Sequence, residues 1–360
     1  MTPMSKQKFA VLDGMRGIAA LFILTRHTSN FWDVWLYKSY LAVDLFFILS
    51  GFVIAHAYDQ KLQRGVLTNK DFFAIRIIRL APVYLMALAL AVAMALVSGY
   101  MDSEAVSTSQ IMWSAFFALF FLPSHVVGIV SLFPLIGPAW SLFFELIANF
   151  LYVGLRARLT EKAMPTLLVV LGLLVCFCSY MSGGLDNGFI WGPRSIGTGL
   201  ARVCFGFLFG LYLYKKRTTF ALAKYTGVLP TVVVPVVVLA VILCLPNLHR
   251  FNWMADVLCV AVVFPALVLL AASATKIPGE SLLLALGSSS YPIYVFHQPI
   301  GKMLTMLFPE AIKSNAPWSG VVFVLILVPA TILLERRFDV PIRRYLTKLA
   351  TSAPKRVAVP

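Results

Sequence analysis

Several ionisable side chains stand inside stretches that are otherwise apolar, at spacings that could do chemistry. Residues 12–27 read LDGMRGIAALFILTRH, which separates Arg16 from His27 by eleven positions. On an α-helix, eleven steps of 100° end about 20° from the starting direction and about 16 Å further along the axis. Arg16 and His27 therefore share a face, three turns apart. Asp13 lies one turn before Arg16 and can pair with it, while Arg26 points about 100° away from His27. A neutral imidazole can take a proton from an alcohol near pH 7. A guanidinium offers forked donors to phosphate or carboxylate.

Four further stretches extend the set. In FFAIRIIRLAPVY (72–84), Arg76 and Arg79 are one turn apart and can grip a phosphate or pyrophosphate. In GPAWSLFFELIANF (137–150), Trp140 suits a membrane interface and Glu145 lies more than a turn deeper. YLAVDLFFILSGF (40–52) carries Asp44, with Ser50 and Gly51 suited to close helix packing. SYPIYVFHQPI (290–300) puts Tyr291, Tyr294 and His297 on one broad face. Structural alternatives exist for each. Arg16 can snorkel, Arg76 and Arg79 can anchor a helix end, and His27 can be a hydrogen-bonded packing residue.

The elements that must position these residues are membrane helices. The 360-residue chain is 60% hydrophobic and only 12% charged, about half the charge of a soluble domain, and its mean hydropathy is +0.87. In a soluble protein a net charge of +15 would suggest nucleic acid. In a membrane protein it reflects the Lys and Arg that gather in cytoplasmic loops. No nucleic-acid partner is expected; the lipid bilayer is. The five cysteines lie in apolar stretches without metal spacing and read as small core residues, and no metal site is expected. The first apolar run is too long and too charged for a cleavable signal peptide and reads as a retained span.

About ten spans are expected, near 9–30, 40–58, 79–99, 139–156, 164–182, 195–214, 229–246, 253–273, 281–301 and 318–335. The apolar stretch 110–123 is ambiguous, and charge decides it. With a cytoplasmic N-terminus and no crossing there, 22 of the 30 Lys and Arg fall on the cytoplasmic side and five outside, as the positive-inside rule requires. The expected fold is thus an all-α polytopic membrane protein with a re-entrant outer-side segment near 110–138. Residues 1–346 form one membrane-embedded domain, followed by a cytoplasmic basic tail over 347–360, and both termini are cytoplasmic. With that orientation Arg16, Arg76, Arg79 and the arginines near Glu335 form a cationic inner mouth. His27, Asp44, Glu145 and His297 form an outer acid–base chamber.

These stretches, in their order along the chain and closed by LERRFDVPIRR, resemble the acyltransferase 3 family of integral-membrane acyltransferases, over residues 8 to 346. The family's Arg-x10-His pattern matches Arg16 and His27, its Arg-x-x-Arg pattern Arg76 and Arg79, and its Trp-Ser-Leu-x-x-Glu pattern Trp140, Ser141, Leu142 and Glu145. The resemblance implies transfer of an acyl group, usually acetyl, from cytoplasmic acyl-CoA to a hydroxyl of an extracytoplasmic carbohydrate or other acceptor, in a bacterial inner membrane. Some members carry an appended hydrolase-like domain; this chain ends soon after its last span, so it either completes transfer alone or hands the acyl group to a partner.

On this reading His27 is the general base, with Glu145 or Asp44 orienting it or shuttling protons. Arg16, Arg76 and Arg79 hold the donor, and Trp140, Tyr294 and His297 meet the acceptor. A relay through an acyl-histidine is the alternative mechanism. A proton-coupled transporter or flippase is the alternative function, since intramembrane His, Asp and Glu also build proton relays.

Overall fold

The computed structural model describes residues 9–101, 106–219 and 227–351. Among them there is no strand, only isolated bridges joining Val126 to Ile129 and Ser131 to Ile190. The principal helices are α1 (Ala10–His27), α2 (Ala42–Ile54), α3 (Asn69–Met101), α4 (Thr108–Leu119), α5 (Ala139–Leu155), α6 (Ala163–Ser182), α7 (Pro193–Lys216) and α8 (Val234–Cys244). After them come α9 (Asn252–Leu258), α10 (Phe264–Ala272), α11 (Glu280–Leu307), α12 (Trp318–Leu334) and α13 (Val340–Thr351). Six helical stretches are long and apolar enough to cross a bilayer: Tyr37–Gln63, Asn69–Ser98, Ala163–Ser182, Pro193–Lys216, His249–Ala272 and Trp318–Ala350. The chain is an all-α multi-pass membrane protein. Helices also occupy the other expected spans, but they are shorter or more polar and pack among the six. Of the expected basic tail, 352–360 lies outside the described residues, as do Lys6, Lys8 and Lys224.

Four π-helical turns interrupt the bundle, and three of them end two residues before a proline: Leu229–Val233 before Pro235, Cys259–Val263 before Pro265, and Glu335–Asp339 before Pro341. A proline ring crowds the carbonyl four residues back and offers no N–H, so the helix widens there rather than breaking. The last of these turns carries α12 into α13, making one helical stretch where the sequence suggested a span ending at 335.

Two parallel helix pairs form the frame. α1 lies along α11 through Gly14, Gly17 and Gly287; a Cβ at Gly17 would sit 2.6 Å from the carbonyl oxygen of Leu286. α2 lies along α7 through Gly51 and Gly210, where a Cβ would meet the backbone oxygens of Phe207 and Ile48 at 1.9 Å. Such approach is open only to glycine, and close backbone packing is what holds apolar helices together in lipid. Gly51 thus packs as its sequence suggested. Below, the end where α1 begins is called proximal and the end where it finishes distal.

α4 starts in a capping box of Ser107 and Gln110 and runs back along α3. The Tyr84 hydroxyl, midway along α3, donates to the carbonyl of Ala118 at 3.0 Å, and the Tyr84 and Phe121 rings stack 4.3 Å apart. The chain then turns and returns without helix, to pair with the 183–192 loop through Leu132 N–H to Phe189 O and Trp191 N–H to Val130 O. This is the dip expected near 110–138. Two boundaries differ from expectation with consequences for the site. α3 begins at Asn69, ten residues before the expected span, and α11 continues to Leu307, six beyond it.

Candidate active site

Five helices converge on a cavity of about 160 Å³, to which α1 brings Arg16, α2 Ser50, α3 Arg76 and Arg79, α5 Glu145, and α11 Tyr294. Arg16 is tied on three sides: to Asp13 Oδ1 at 2.8 Å, to the Gly287 carbonyl at 3.1 Å and to Ser290 Oγ at 3.1 Å. Arg76 Nη2 donates to Glu145 Oε1 at 2.6 Å, and Ser50 Oγ donates to the same oxygen at 2.7 Å. Arg79 lies 5.7 Å from the Tyr291 ring and 3.6 Å from Asp339 Oδ2, too far for a hydrogen bond. Among the described residues, Arg76 Nε and Arg79 Nη1 are buried without a hydrogen-bond partner. Buried N–H groups are seldom left so, and both belong to residues lining the cavity. The site therefore keeps guanidinium donors in reserve for an anion or a polarised carbonyl. The cavity is too small for a whole nucleotide and suits a slender group.

Here the expected division by depth is corrected. Glu145 was placed in an outer chamber with His27, and the structure puts it on Arg76 instead. The reason is the early start of α3. Seven residues of helix precede Arg76, which lifts it about 10 Å into the bundle, to the level that Glu145 reaches from the other side.

His27 is the last residue of α1 and is exposed at the distal end. Its Nδ1 lies 2.9 Å from Nε2 of the fully buried His297, and the rings stack with centroids 5.1 Å apart. The tautomers follow from the partners. His297 Nδ1 faces the Ile293 carbonyl at 3.0 Å. A carbonyl only accepts, so that nitrogen carries the proton and, in the neutral ring, Nε2 is an acceptor. His27 Nδ1 must then be the donor, which leaves its Nε2 with a free lone pair. The pair thus presents one unprotonated nitrogen on an exposed ring, oriented by a buried one. Tyr294 connects this pair to the arginine cavity. Its ring is 6.1 Å from that of His297, and its hydroxyl meets Ser141 Oγ at 2.7 Å.

Asp44 and Trp140 are built into the frame. Asp44 is fully buried and takes both forks of the Arg202 guanidinium, at 2.9 and 2.7 Å, so it contacts that arginine and not His27. Arg202 also donates to the Asn187 carbonyl at 2.5 Å and lies 5.3 Å from the Trp140 ring. Trp140 is buried against Phe47, Phe144 and Phe189 and does not line the cavity, where its neighbours Ser141 and Glu145 do. The distal loop 183–192 is strapped down by several such ties. Arg26 reaches Asp186 at 2.5 Å, and Asp256 takes the Lys38 ammonium, the Tyr40 hydroxyl and the Leu185 N–H. Burial pushes the Asp186 carboxyl up from its ordinary value, and Arg26 opposes that shift. Sequence reading included Arg343 among the arginines near Glu335 but missed its partner Asp339, paired with it at 2.9 Å beside Arg79. The signal was their i, i+4 spacing.

The profile of the acyltransferase 3 family, described as an acyltransferase domain, matches residues 9–335. The chain belongs to this family. Like the rest of the family it is a membrane acyltransferase, and the cavity and histidine pair both lie within the matched region. It is 40% identical over 179 residues to protein 2 in the picA locus of Rhizobium radiobacter, a match covering 47% of this chain and 94% of that protein. It is 28% identical over 141 residues to the exopolysaccharide production protein ExoZ of Rhizobium meliloti, covering 38% of this chain and 42% of ExoZ. It is 30% identical over 194 residues to the putative peptidoglycan O-acetyltransferase YrhL of Bacillus subtilis, covering 48% of this chain and 29% of YrhL. The matches thus span less than half the length of ExoZ and of YrhL. No solved structure matches.

Proposed function

We propose that this acyltransferase moves an acyl group, acetyl in the simplest case, from acyl-CoA to a hydroxyl of a carbohydrate presented at the distal face. The observation that carries the reading is the free Nε2 of His27, fixed by His297 and exposed beyond the arginine-lined cavity. The names of ExoZ and YrhL support a polysaccharide acceptor. The excess of Lys and Arg at the proximal side supports a proximal face in the cytoplasm, in the inner membrane of a bacterium.

In this mechanism Arg16, Arg76 and Arg79 hold the donor from the proximal side, with its thioester directed past Tyr294. His27 Nε2 takes the hydroxyl proton as the acceptor oxygen attacks the thioester carbonyl. The imidazolium so formed keeps its Nδ1–H on His297 Nε2. When the tetrahedral intermediate collapses, the C–S bond breaks and His27 returns its proton to the departing thiolate, leaving an ester and CoA. His297 serves as the orienting partner, the part first expected of Glu145 or Asp44. Glu145 instead holds Arg76 in place.

The test is His27→Ala in the purified, lipid-embedded protein, with acetyl transfer from acetyl-CoA followed by mass spectrometry of the acceptor. Loss of the base lowers turnover by about 10²–10⁴-fold. Transfer at the normal rate would remove His27 from the mechanism. An acceptor that crosses the membrane unesterified would favour the transporter instead.

A further inference from the structure

A second cavity, of about 360 Å³, lies on the distal side of the histidine pair. Its walls are the distal part of α3 (Met94, Ser98), Ser114 of α4, Leu135 of the returning segment, and Pro299 and Lys302 of α11. Pockets for small ligands begin near this size. The wall is fixed, because Gln298 Oε1 accepts the Gly137 N–H at 2.7 Å and ties the returning segment to α11. Along α11 the order is informative. Ser290, Tyr291 and Tyr294 face the arginine cavity, Pro299, Lys302 and Met306 face the second one, and His297 lies between.

Among the described residues, Lys302 is the only ionisable side chain in that wall. The sequence reading placed it just outside the spans, and α11 continues through it, a turn and a half beyond His297. Its side chain is exposed. Nearby distal cations are paired: the half-buried Arg26 with Asp186, and the buried Lys38 with Asp256 and Arg202 with Asp44. Lys302 has no hydrogen bond or ion pair among the described residues, so its ammonium is free to meet a ligand. A third cavity, beside Phe31 and Phe323, is apolar apart from Ser319 and carries no charged side chain for a sugar's anionic group.

We propose that this cavity is the acceptor site and that Lys302 binds an anionic substituent, a carboxylate or a phosphate, on the carbohydrate whose hydroxyl His27 deprotonates. The proposal rests on the acyl-transfer reading for the role of His27, but the binding it predicts is separable from turnover. The Ser98 and Ser114 hydroxyls supply neutral contacts to the sugar, and Lys302 supplies the selectivity. Neutral sugars lack the charge-assisted contact.

The experiment measures equilibrium binding to the full chain in lipid nanodiscs of three probes: methyl glucoside, methyl glucuronoside and methyl glucoside 6-phosphate. Wild type is expected to bind at least one acidic probe tenfold or more tightly than the neutral one, and which of the two it is identifies the anion. In Lys302→Gln that ratio is expected to fall to about one, while Lys302→Arg keeps it and controls for folding. Equal affinity for all three probes, no saturable binding of either acidic probe, or an unchanged ratio in Lys302→Gln would each overturn the proposal. The acyl-transfer reading stands or falls separately, on acetyl transfer by wild type and its loss in His27→Ala.

Discussion

Replacing His297 by alanine removes the acceptor that fixes the tautomer of His27 while leaving the base itself in place. In the resting pair the bond from His27 Nδ1 to His297 Nε2, 2.9 Å long, joins two neutral rings and is worth about 1 kcal/mol. Once His27 has taken the acceptor's proton it becomes charge-assisted, worth about 1.5–3 kcal/mol. The excess in the charged state, about 0.5–2 kcal/mol, is what assists the chemical step, but alanine also lets the His27 ring turn and shift tautomer, which raises the cost to the full value of the charged bond. At about 1.4 kcal/mol per tenfold, kcat is expected to fall by about 10- to 150-fold, against about 10²–10⁴-fold for His27→Ala. KM for acetyl-CoA should hold, because the proposed mechanism has the donor held by arginines on the far side of Tyr294.

The assay is steady-state acetyl transfer by nanodisc-embedded protein, in single variants and the double variant. If His297 acts only through His27, the double variant falls no further than His27→Ala alone, because residues acting as one unit are not additive. His297→Gln, which keeps an acceptor oxygen, should recover part of the loss. Two results would refute the reasoning: His297→Ala within threefold of wild type, or a double variant slower by the product of the two single effects. The first would mean His27 is oriented by something else, the second that His297 has a task of its own.

Two further perturbations separate the donor site from the frame. Arg76→Ala combined with Arg79→Ala should raise the dissociation constant for CoA by tenfold or more, measured by equilibrium binding; unchanged affinity would return both residues to helix anchoring. Arg202→Leu strands the buried Asp44 carboxylate and should cost about 3–5 kcal/mol, seen as a lowered unfolding temperature in detergent, whereas Asp44→Leu with Arg202→Leu should recover much of it; a double variant no more stable than the single one would show that the arginine's tie to Asn187, not the ion pair, holds the helices.

Local geometry was legible in the sequence and distant partnership was not. The shared face of Arg16 and His27 depends only on helix periodicity, and the glycine and small-residue positions announced close packing. The dip of α4 was legible through charge, since a full crossing would have inverted every later basic cluster. Depth failed at Glu145 because an apolar window ends where the charges begin, while α3 continues through them to Asn69. The partner of His27 is 270 positions away and depends on α1 and α11 running parallel at glycine distance. Asp44 misled for a chemical reason: a carboxylate poised for catalysis and one locked to an arginine 158 positions away look alike in an apolar helix.

The ion pairs also support the proposal that proton handling falls to histidine. A carboxylate cannot remain inside an apolar bundle without a cation or hydrogen bonds. Here Asp13 is engaged by Arg16, Asp44 by Arg202, Glu145 by Arg76, Asp256 by Lys38 and Asp339 by Arg343. Each is held by a cation, so to accept a substrate's proton it would have to give up that pair, and in the Asp44, Glu145 and Asp256 pairs the contact also ties separate segments together. A neutral imidazole escapes that conflict, because it can be buried or half-exposed without a counter-ion and still offer a lone pair. The same argument weighs against a transporter, in which carboxylates must exchange partners as the protein alternates. In this bundle the carboxylates hold the frame, and the His27–His297 pair is left free to move a proton.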